Sequence, residues 1–495
     1  MVVAEREAKL LDPVRDFLKE PKKLLIGGEW TDAASGATFA TIDPATDQPL
    51  AEVPLAGAED VDRAVAAARE AFDDGRWSEI DPRKRAKVLF VIADAIEEHA
   101  ATIGQIDTLD NGKPVGFAMA EAAHAAMVFR YYAGWADKVY GETNPTDPSA
   151  FVYTIREPLG VCGQVIPWNF PTPMLAWKVA PALAFGNCSI LKPAEETPLS
   201  ALFIAKLCQE AGVPDGVLNV LTGDGETTGA PLVAHTGIDK IAFTGSTEVG
   251  RKIVAASSGN LARVTLELGG KSPAIVFPDA DVPGAVQGAS FGIFWNTGQV
   301  CTAGSRLLVQ HDMHDEFVGA LQGAAESWAV GDGLDEGTMV GPLVSRQQLE
   351  RVTGYLEIGK SEGAEVRTGG ERVAGTDGYF VQPTIFTGVK PDMRIAQEEI
   401  FGPVLSVLTF DDVDEAIRIA NDTMYGLHAT VWTKDLSTAH RVARGVRAGM
   451  IGVNLHPTND PGVSFGGYKA SGYGRELGPH SLNTYTQTKS VWVKL

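Results

Sequence analysis

The stretch "IDKIAFTGSTEVG", Ile238–Gly250, runs from short apolar strand to glycine turn to helix. Ser246 stands where a helix N-cap belongs, and Val249, Ile253 and Val254 follow at helical spacing. Strand, turn and helix in succession are the repeating unit of α/β proteins. Gly245 lets the backbone approach a ligand closely, and a helix N-terminus can face a pyrophosphate. Capping alone accounts for Ser246 equally well, so the stretch indicates a fold class before it indicates a ligand.

The same pattern recurs on either side. "GVCGQVIPWNFP" (160–171), "NCSILKPAEETP" (187–198) and "SPAIVFPDAD" (272–281) are short apolar strands that run into turns. In α/β sheets, ligands collect where strands end. Upstream, Asp60 leads the amphipathic "VDRAVAAAREAF". Asp81-Pro82 reads as an N-cap with proline at the first helical position, opening a second amphipathic helix through Val88, Leu89, Ile92 and Ile96. The tail "SLNTYTQTKSVWVKL" (481–495) ends in an apolar-rich strand that must pair with something to avoid aggregation.

At 495 residues, with 44 % hydrophobic and 21 % charged residues, the chain has ordinary globular composition. That length predicts about two to four domains. The charge balance, 42 basic against 63 acidic residues, gives −21, which argues against nucleic acid or anionic lipid as a default partner. Four cysteines without a CxxC spacing predict neither a disulfide framework nor zinc. The charged N-terminal stretch lacks an apolar signal-peptide core, and no apolar run is long enough to span a bilayer, so a reducing, cytoplasmic location is expected.

Several motifs fail on inspection. "GASFG" (288–292) and "GVSFG" (462–466) match the serine-hydrolase GxSxG, but Ser464 has only His480 after it and no acid-then-histidine order. "GGKS" (269–272) resembles the end of a P-loop, yet Thr265 occupies the required upstream glycine position. "GDGETTG" from Gly223 is one residue too long for GxGxxG. His311 and His314 lack a third ligand, so no metal site is expected.

What remains is a set of polar groups suited to carbonyl chemistry. Asn169 in "PWNFP" is either an amide donor for an oxyanion or a turn cap. Lys192 and Glu195 in "LKPAEET" suit the hydroxyls of a nucleotide ribose or form a solvated ion pair. Glu267 in "LELGGKSP" ends an apolar strand, where a carboxyl gains a raised pKa and serves as a base. Cys301 in "NTGQVCTAGSR" (296–306) sits among small and polar residues, unlike a structural cysteine, and a free thiol readily forms thioesters.

Together with "EEIFGPV" (398–404) and "FGGYKASGYGRELG" (465–478), these motifs resemble the NAD(P)-dependent aldehyde dehydrogenase superfamily, of the hydrolytic, non-acylating type. The resemblance implies an α/β fold with a Rossmann-like cofactor domain (1–137 and 158–266) and an α/β catalytic domain (267–462). It also implies a small β extension for oligomerisation (138–157 and 479–495), hence a homodimer or homotetramer. It implies Cys301 as nucleophile, Glu267 as base, and an oxyanion hole of Asn169 and the Cys301 N–H. Ile166, Trp168, Lys192, Glu195, Gly245, Ser246, Glu399 and Phe401 would contact the dinucleotide. Phe170, Met174, Trp177, Trp295, Thr302 and Phe465 would line a channel for an apolar, aromatic or medium-chain aldehyde.

A carboxylate at 195 accepts from a ribose 2′-OH and repels a 2′-phosphate, which predicts NAD over NADP. The same thiol, amide and base would also suit a cofactor-independent thiol esterase, and hydride production from an aldehyde separates the two. The loop "NLHPTNDPGVSF" (454–465) departs from the commoner family pattern and carries Asp460. At the channel mouth Asp460 favours a cationic or hydroxylated substrate. As a solvated surface residue, the preferred reading, it has no role.

Overall fold

Strand Lys240–Thr244, which opens the decisive stretch, lies inside an eight-stranded sheet in the computed structural model, which describes residues 2–495. Met1, where the range 1–137 begins, lies outside the described residues. Five strands run parallel, in the spatial order Leu218–Val220, Cys188–Lys192, Val161–Val165, Lys240–Thr244, Arg263–Glu267. In chain order this is 3-2-1-4-5, the doubly wound arrangement. Its strand order reverses between Val161–Val165 and Lys240–Thr244, where such sheets bind dinucleotides. Register places Thr244 beside Glu267 and Phe243 beside Val165, so the turns after these strands leave the sheet at one crevice.

A second, seven-stranded sheet follows. Its strands Thr384–Thr387, Val404–Phe410, Arg306–Gln310, Pro273–Val276, His428–Trp432 and Met450–Val453 are parallel, with Glu365–Thr368 antiparallel at one edge. Pro273–Val276 starts just after the "GGK" turn, and Arg306–Gln310 starts just after the cysteine loop. Each sheet is covered by helices over its own hydrophobic clusters.

The sheets are stitched together at one place. Gly472–Tyr473 returns to the first sheet and pairs antiparallel with Leu266 and Glu267, while Phe465 and Glu476 form a bridge. Residues 463–478, left between the domains read from sequence, thus complete the sheet edge beside Glu267.

The expected caps are present. Ser246 accepts from the Val249 N–H at 3.2 Å, and Asp81 accepts from the Arg83 N–H at 2.9 Å ahead of helix Pro82–Glu98. Along helix Thr247–Ser257 Ile253 is buried, but Val249 and Val254 are exposed, so the apolar face is narrower than the spacing indicated. The tail strand Thr486–Lys494 finds its partner within the chain, pairing antiparallel along its whole length with Ala150–Pro158. Among the described residues, no helix is long and apolar enough to cross a membrane.

Candidate active site

Where the two parallel sheets face each other, a cavity of about 830 Å³ opens. Its wall brings together Asn169, Glu267 and Cys301, each delivered by a different strand end or loop. Also on the wall are Trp168, Gly245, Ser246, Glu399 and Phe401 on the side of the crevice, and Phe170, Met174, Trp177, Trp295, Thr302 and Phe465.

The cysteine loop is aimed by an unusual backbone. Asn296, Thr297 and Gly298 are all left-handed, with φ of 49°, 57° and 69°. For a β-branched threonine this conformation is strained, and surrounding contacts must hold it. Thr297 Oγ1 donates to the Gly341 carbonyl at 3.0 Å, and a Cβ at residue 298 would lie 2.1 Å from the Gly402 oxygen. Glycine is also obligatory after Glu267: a Cβ at 270 would lie 2.2 Å from the Cys301 carbonyl oxygen, and one at 269 would lie 2.2 Å from Glu399 Oε2. The two glycines of "ELGGK" therefore let base, nucleophile loop and Glu399 converge. Glu399 is fixed there because its Oε1 accepts from the Gly270 N–H at 2.7 Å; burial pushes its carboxyl up to about 7.

Asn169 is anchored by its own backbone. Its carbonyl accepts from Lys113 Nζ at 2.9 Å and Asn296 Nδ2 at 3.0 Å, and Asn111 Nδ2 donates to the Trp168 carbonyl at 2.8 Å. One Asn169 amide hydrogen goes to the Gln299 carbonyl at 2.9 Å, two residues before the cysteine, leaving the other for the cavity. The turn-cap alternative is not what the side chain does.

Glu267 is buried, and neither carboxylate oxygen has a hydrogen-bond partner. Burial first, then the neighbouring Glu476 carboxylate, hold its pKa well above the ordinary value, with Lys178 acting against them. Lys178 is itself fully buried, paired with Glu476 and bonded to Thr244 Oγ1 at 2.7 Å. Neither was singled out from sequence. Glu476 stood within the quoted "GYGRELG", whereas Lys178 was hidden in an apolar helical run. Burial pushes the Cys301 thiol up to about 12, reinforced by Glu399 and Glu267, while backbone N–H groups of Thr302 and Cys301 oppose the rise. That environment favours the protonated thiol. Iodoacetamide labelling of Cys301 should therefore accelerate with pH from about pH 6 to about pH 9 without a plateau. A plateau below pH 8, read by mass spectrometry, would show a thiolate already formed.

Three expected residues lie off this cavity. Ile166 turns into the core and is 2 % exposed, its N–H bonded to the Lys192 carbonyl, so its side chain does not line the cleft. Lys192 and Glu195 sit one strand over, with Lys192 Nζ 3.5 Å from Glu195 Oε2. Beside them Asp224 caps a π-helical turn, Gly225–Gly229, which opens helix Ala230–Ala234. The over-long "GDGETTG" is thus a helix start after all. A Cβ on Gly229 would lie 3.5 Å from Lys192 Cδ, so this turn packs directly against the lysine. These groups fit a dinucleotide.

Asp460 corrects the preferred surface reading in part: it is exposed, yet it lies on the cavity wall at the mouth. His124 and His456 are further lining residues that no local pattern announced. Ser464 Oγ and His480 Nδ1 come within 2.6 Å, but no carboxylate is bonded to that imidazole and the pair lacks a triad. Among the described residues no cluster of three metal-ligating side chains occurs.

This geometry agrees with known proteins. Residues 30–491 match the model of the aldehyde dehydrogenase family. An aldehyde dehydrogenase of Aspergillus niger is 50 % identical over 478 residues, covering 96 % of each chain. A mitochondrial benzaldehyde dehydrogenase of Antirrhinum majus is 50 % identical over 487 residues, 98 % of this chain and 91 % of that one. The NAD+ complex of an aldehyde dehydrogenase from Bacillus cereus superposes with a TM-score of 0.97 at 48 % identity, covering 98 % of this chain and 99 % of that one. The chain belongs to the aldehyde dehydrogenase family, and it is an enzyme that oxidises aldehydes to carboxylic acids.

Proposed function

We propose that Cys301 is the nucleophile, Glu267 the base and Asn169 the oxyanion donor of this oxidation. The observation that carries the assignment is their convergence on one cavity, with an unpartnered buried carboxylate facing the thiol's loop. The Cys301 thiol loses its proton to solvent water, and the thiolate Sγ bonds to the aldehyde carbon. The carbonyl oxygen becomes an oxyanion held by Asn169 Nδ2–H and the Cys301 N–H. Bound NAD supplies the hydride acceptor. Loss of hydride from the Cys301 adduct reforms the carbonyl as a thioester on Sγ. Glu267 then takes a proton from water, whose oxygen adds to the thioester; the acid leaves and the sulfur is released.

Trp168, Gly245, Ser246, Lys192, Glu195, Glu399 and Phe401 are assigned to the dinucleotide. NAD is preferred over NADP because Lys192 is outnumbered: Glu195, Glu196 and Asp224 all act on it. That acidic surround repels a 2′-phosphate. We expect Glu195→Ser to raise the NADP-to-NAD ratio of kcat/KM by about tenfold. A ratio unmoved by the substitution would remove Glu195 from the ribose site.

The channel side is aromatic: Phe170 and Trp295 lie 5.2 Å apart, Trp177 and Phe465 5.0 Å, and Phe291 stacks on Trp295 at 5.4 Å. Such walls favour aromatic or medium-chain apolar aldehydes. The testing experiment is nicotinamide reduction by an aldehyde panel with NAD and NADP separately. Reduction confined to short or anionic aldehydes would overturn the channel assignment.

The division into cofactor domain, catalytic domain and β extension is retained as part of this reading. A homodimer or homotetramer is supported by the exposed Phe151, Trp492 and Val493 on the three-stranded sheet, which a second copy would cover. A cytoplasmic location is supported by four cysteines, all unpaired.

A further inference from the structure

Three histidines that the reaction does not use surround the aldehyde channel. His456, in the unusual loop 454–465, lies on the cavity wall against Phe291, ring centroids 6.2 Å apart. Room for its ring comes from Gly292, where a Cβ would sit 2.8 Å from His456 Nδ1. The discarded "GASFG" motif thus supplies both Phe291 and the space beside it. Behind His456, its ring centroid 4.9 Å away, is the fully buried His428. His428 Nδ1 meets the Thr302 carbonyl at 3.2 Å, which makes Nδ1 the N–H donor, and its Nε2 is buried without a partner. His428 thus leaves a partnerless acceptor, Nε2, in the ring that packs edge-on against His456.

The tautomer of His124 is set by Trp177. Trp177 Nε1–H donates to His124 Nε2 at 3.4 Å, so the ring proton is on Nδ1. Burial lowers the pKa of both lining imidazoles, to about 4 for His456, so each is neutral at pH 7. A channel walled largely by aromatic rings therefore carries two neutral imidazoles, each able to hydrogen-bond a hydroxyl. Asp460 at its mouth opposes a carboxylate-bearing substrate, and Glu121, three residues before His124 on the same lining, is already paired with Lys113 at 2.6 Å rather than free to meet a cation.

We infer that this channel selects aryl aldehydes bearing a ring hydroxyl, with His456 and His124 as specificity residues that hydrogen-bond it. The inference rests on the assignment of this cavity as the aldehyde channel and names the substrate class within it.

The test compares 4-hydroxybenzaldehyde with 4-methoxybenzaldehyde, which is electronically similar but lacks the O–H. Acid formation with saturating NAD would be measured by chromatography for wild type, His456→Phe and His124→Phe. The expected hydroxy-to-methoxy ratio of kcat/KM is about tenfold or more in wild type, consistent with one or two neutral hydrogen bonds, and about one in at least one variant, whatever happens to the individual rates. A wild-type ratio near one, or a ratio that survives both replacements, overturns the inference. So does absence of turnover with either substrate in an enzyme that oxidises other aldehydes. Absence of turnover with every aldehyde in the panel would instead overturn the proposed function.

Discussion

Glu267→Gln should release about one equivalent of NADH per active site and then nearly stop, with steady-state kcat lower by about 10²–10⁴-fold. Glutamine keeps the shape of the side chain but cannot take a proton from water, so the thioester on Cys301 persists. Mass spectrometry of the stalled enzyme should find the acyl group on the peptide that contains Cys301. The pH profile gives an independent check. Burial and Glu476 hold the Glu267 carboxyl well above its ordinary pKa, which favours the neutral acid. Only the carboxylate is a base, so wild-type kcat must rise with pH through that raised value and be lost below it. The variant should lack this limb. Steady turnover within about threefold of wild type would remove Glu267 from the second half of the reaction.

Cys301→Ser should lose the burst as well as the steady state, by about 10³-fold or more, while NAD still binds. The argument is one of acidity and shape. A serine hydroxyl is a far weaker nucleophile than a thiol, and the site holds no imidazole against residue 301 to activate it. The environment already opposes an anion there, since burial, Glu399 and Glu267 all push the thiol upward. NAD binding should survive because the loop's aim comes from the left-handed residues 296–298 and from Gly270, not from sulfur. Retention of NAD binding by calorimetry with a lost burst supports the role; a burst of undiminished size would end it.

Much of this was legible in the sequence, for a physical reason. Caps, glycine turns and strand ends are local, so Ser246, Asp81 and the crevice turns could be placed before any contact was known. The pair of glycines after Glu267 was visible as a motif, but its purpose was not. Only the fold shows that a Cβ at 270 would strike the Cys301 carbonyl. Ile166 was misplaced because adjacency to "PWNFP" says nothing about which way a side chain turns. Lys178 escaped because a charged residue in the fully buried helix Pro171–Ala184 reads as an interruption until Glu476, almost 300 positions later, neutralises it. His124, His428 and His456 come from three separate segments and have no shared spacing.

The pairing of Gly472–Tyr473 with Leu266 and Glu267 also governs when, during synthesis, the enzyme becomes an enzyme. A nascent chain that has reached residue 470 contains Cys301, Asn169 and the residues proposed above for the dinucleotide. It still lacks the strand that closes the sheet edge beside its base, and it lacks Glu476. Until those last residues leave the ribosome, Leu266–Glu267 is an open edge strand, the kind of surface that recruits another chain. A chain that stops short of Gly472 should therefore associate through that edge, which size-exclusion chromatography of a 1–470 truncation would show.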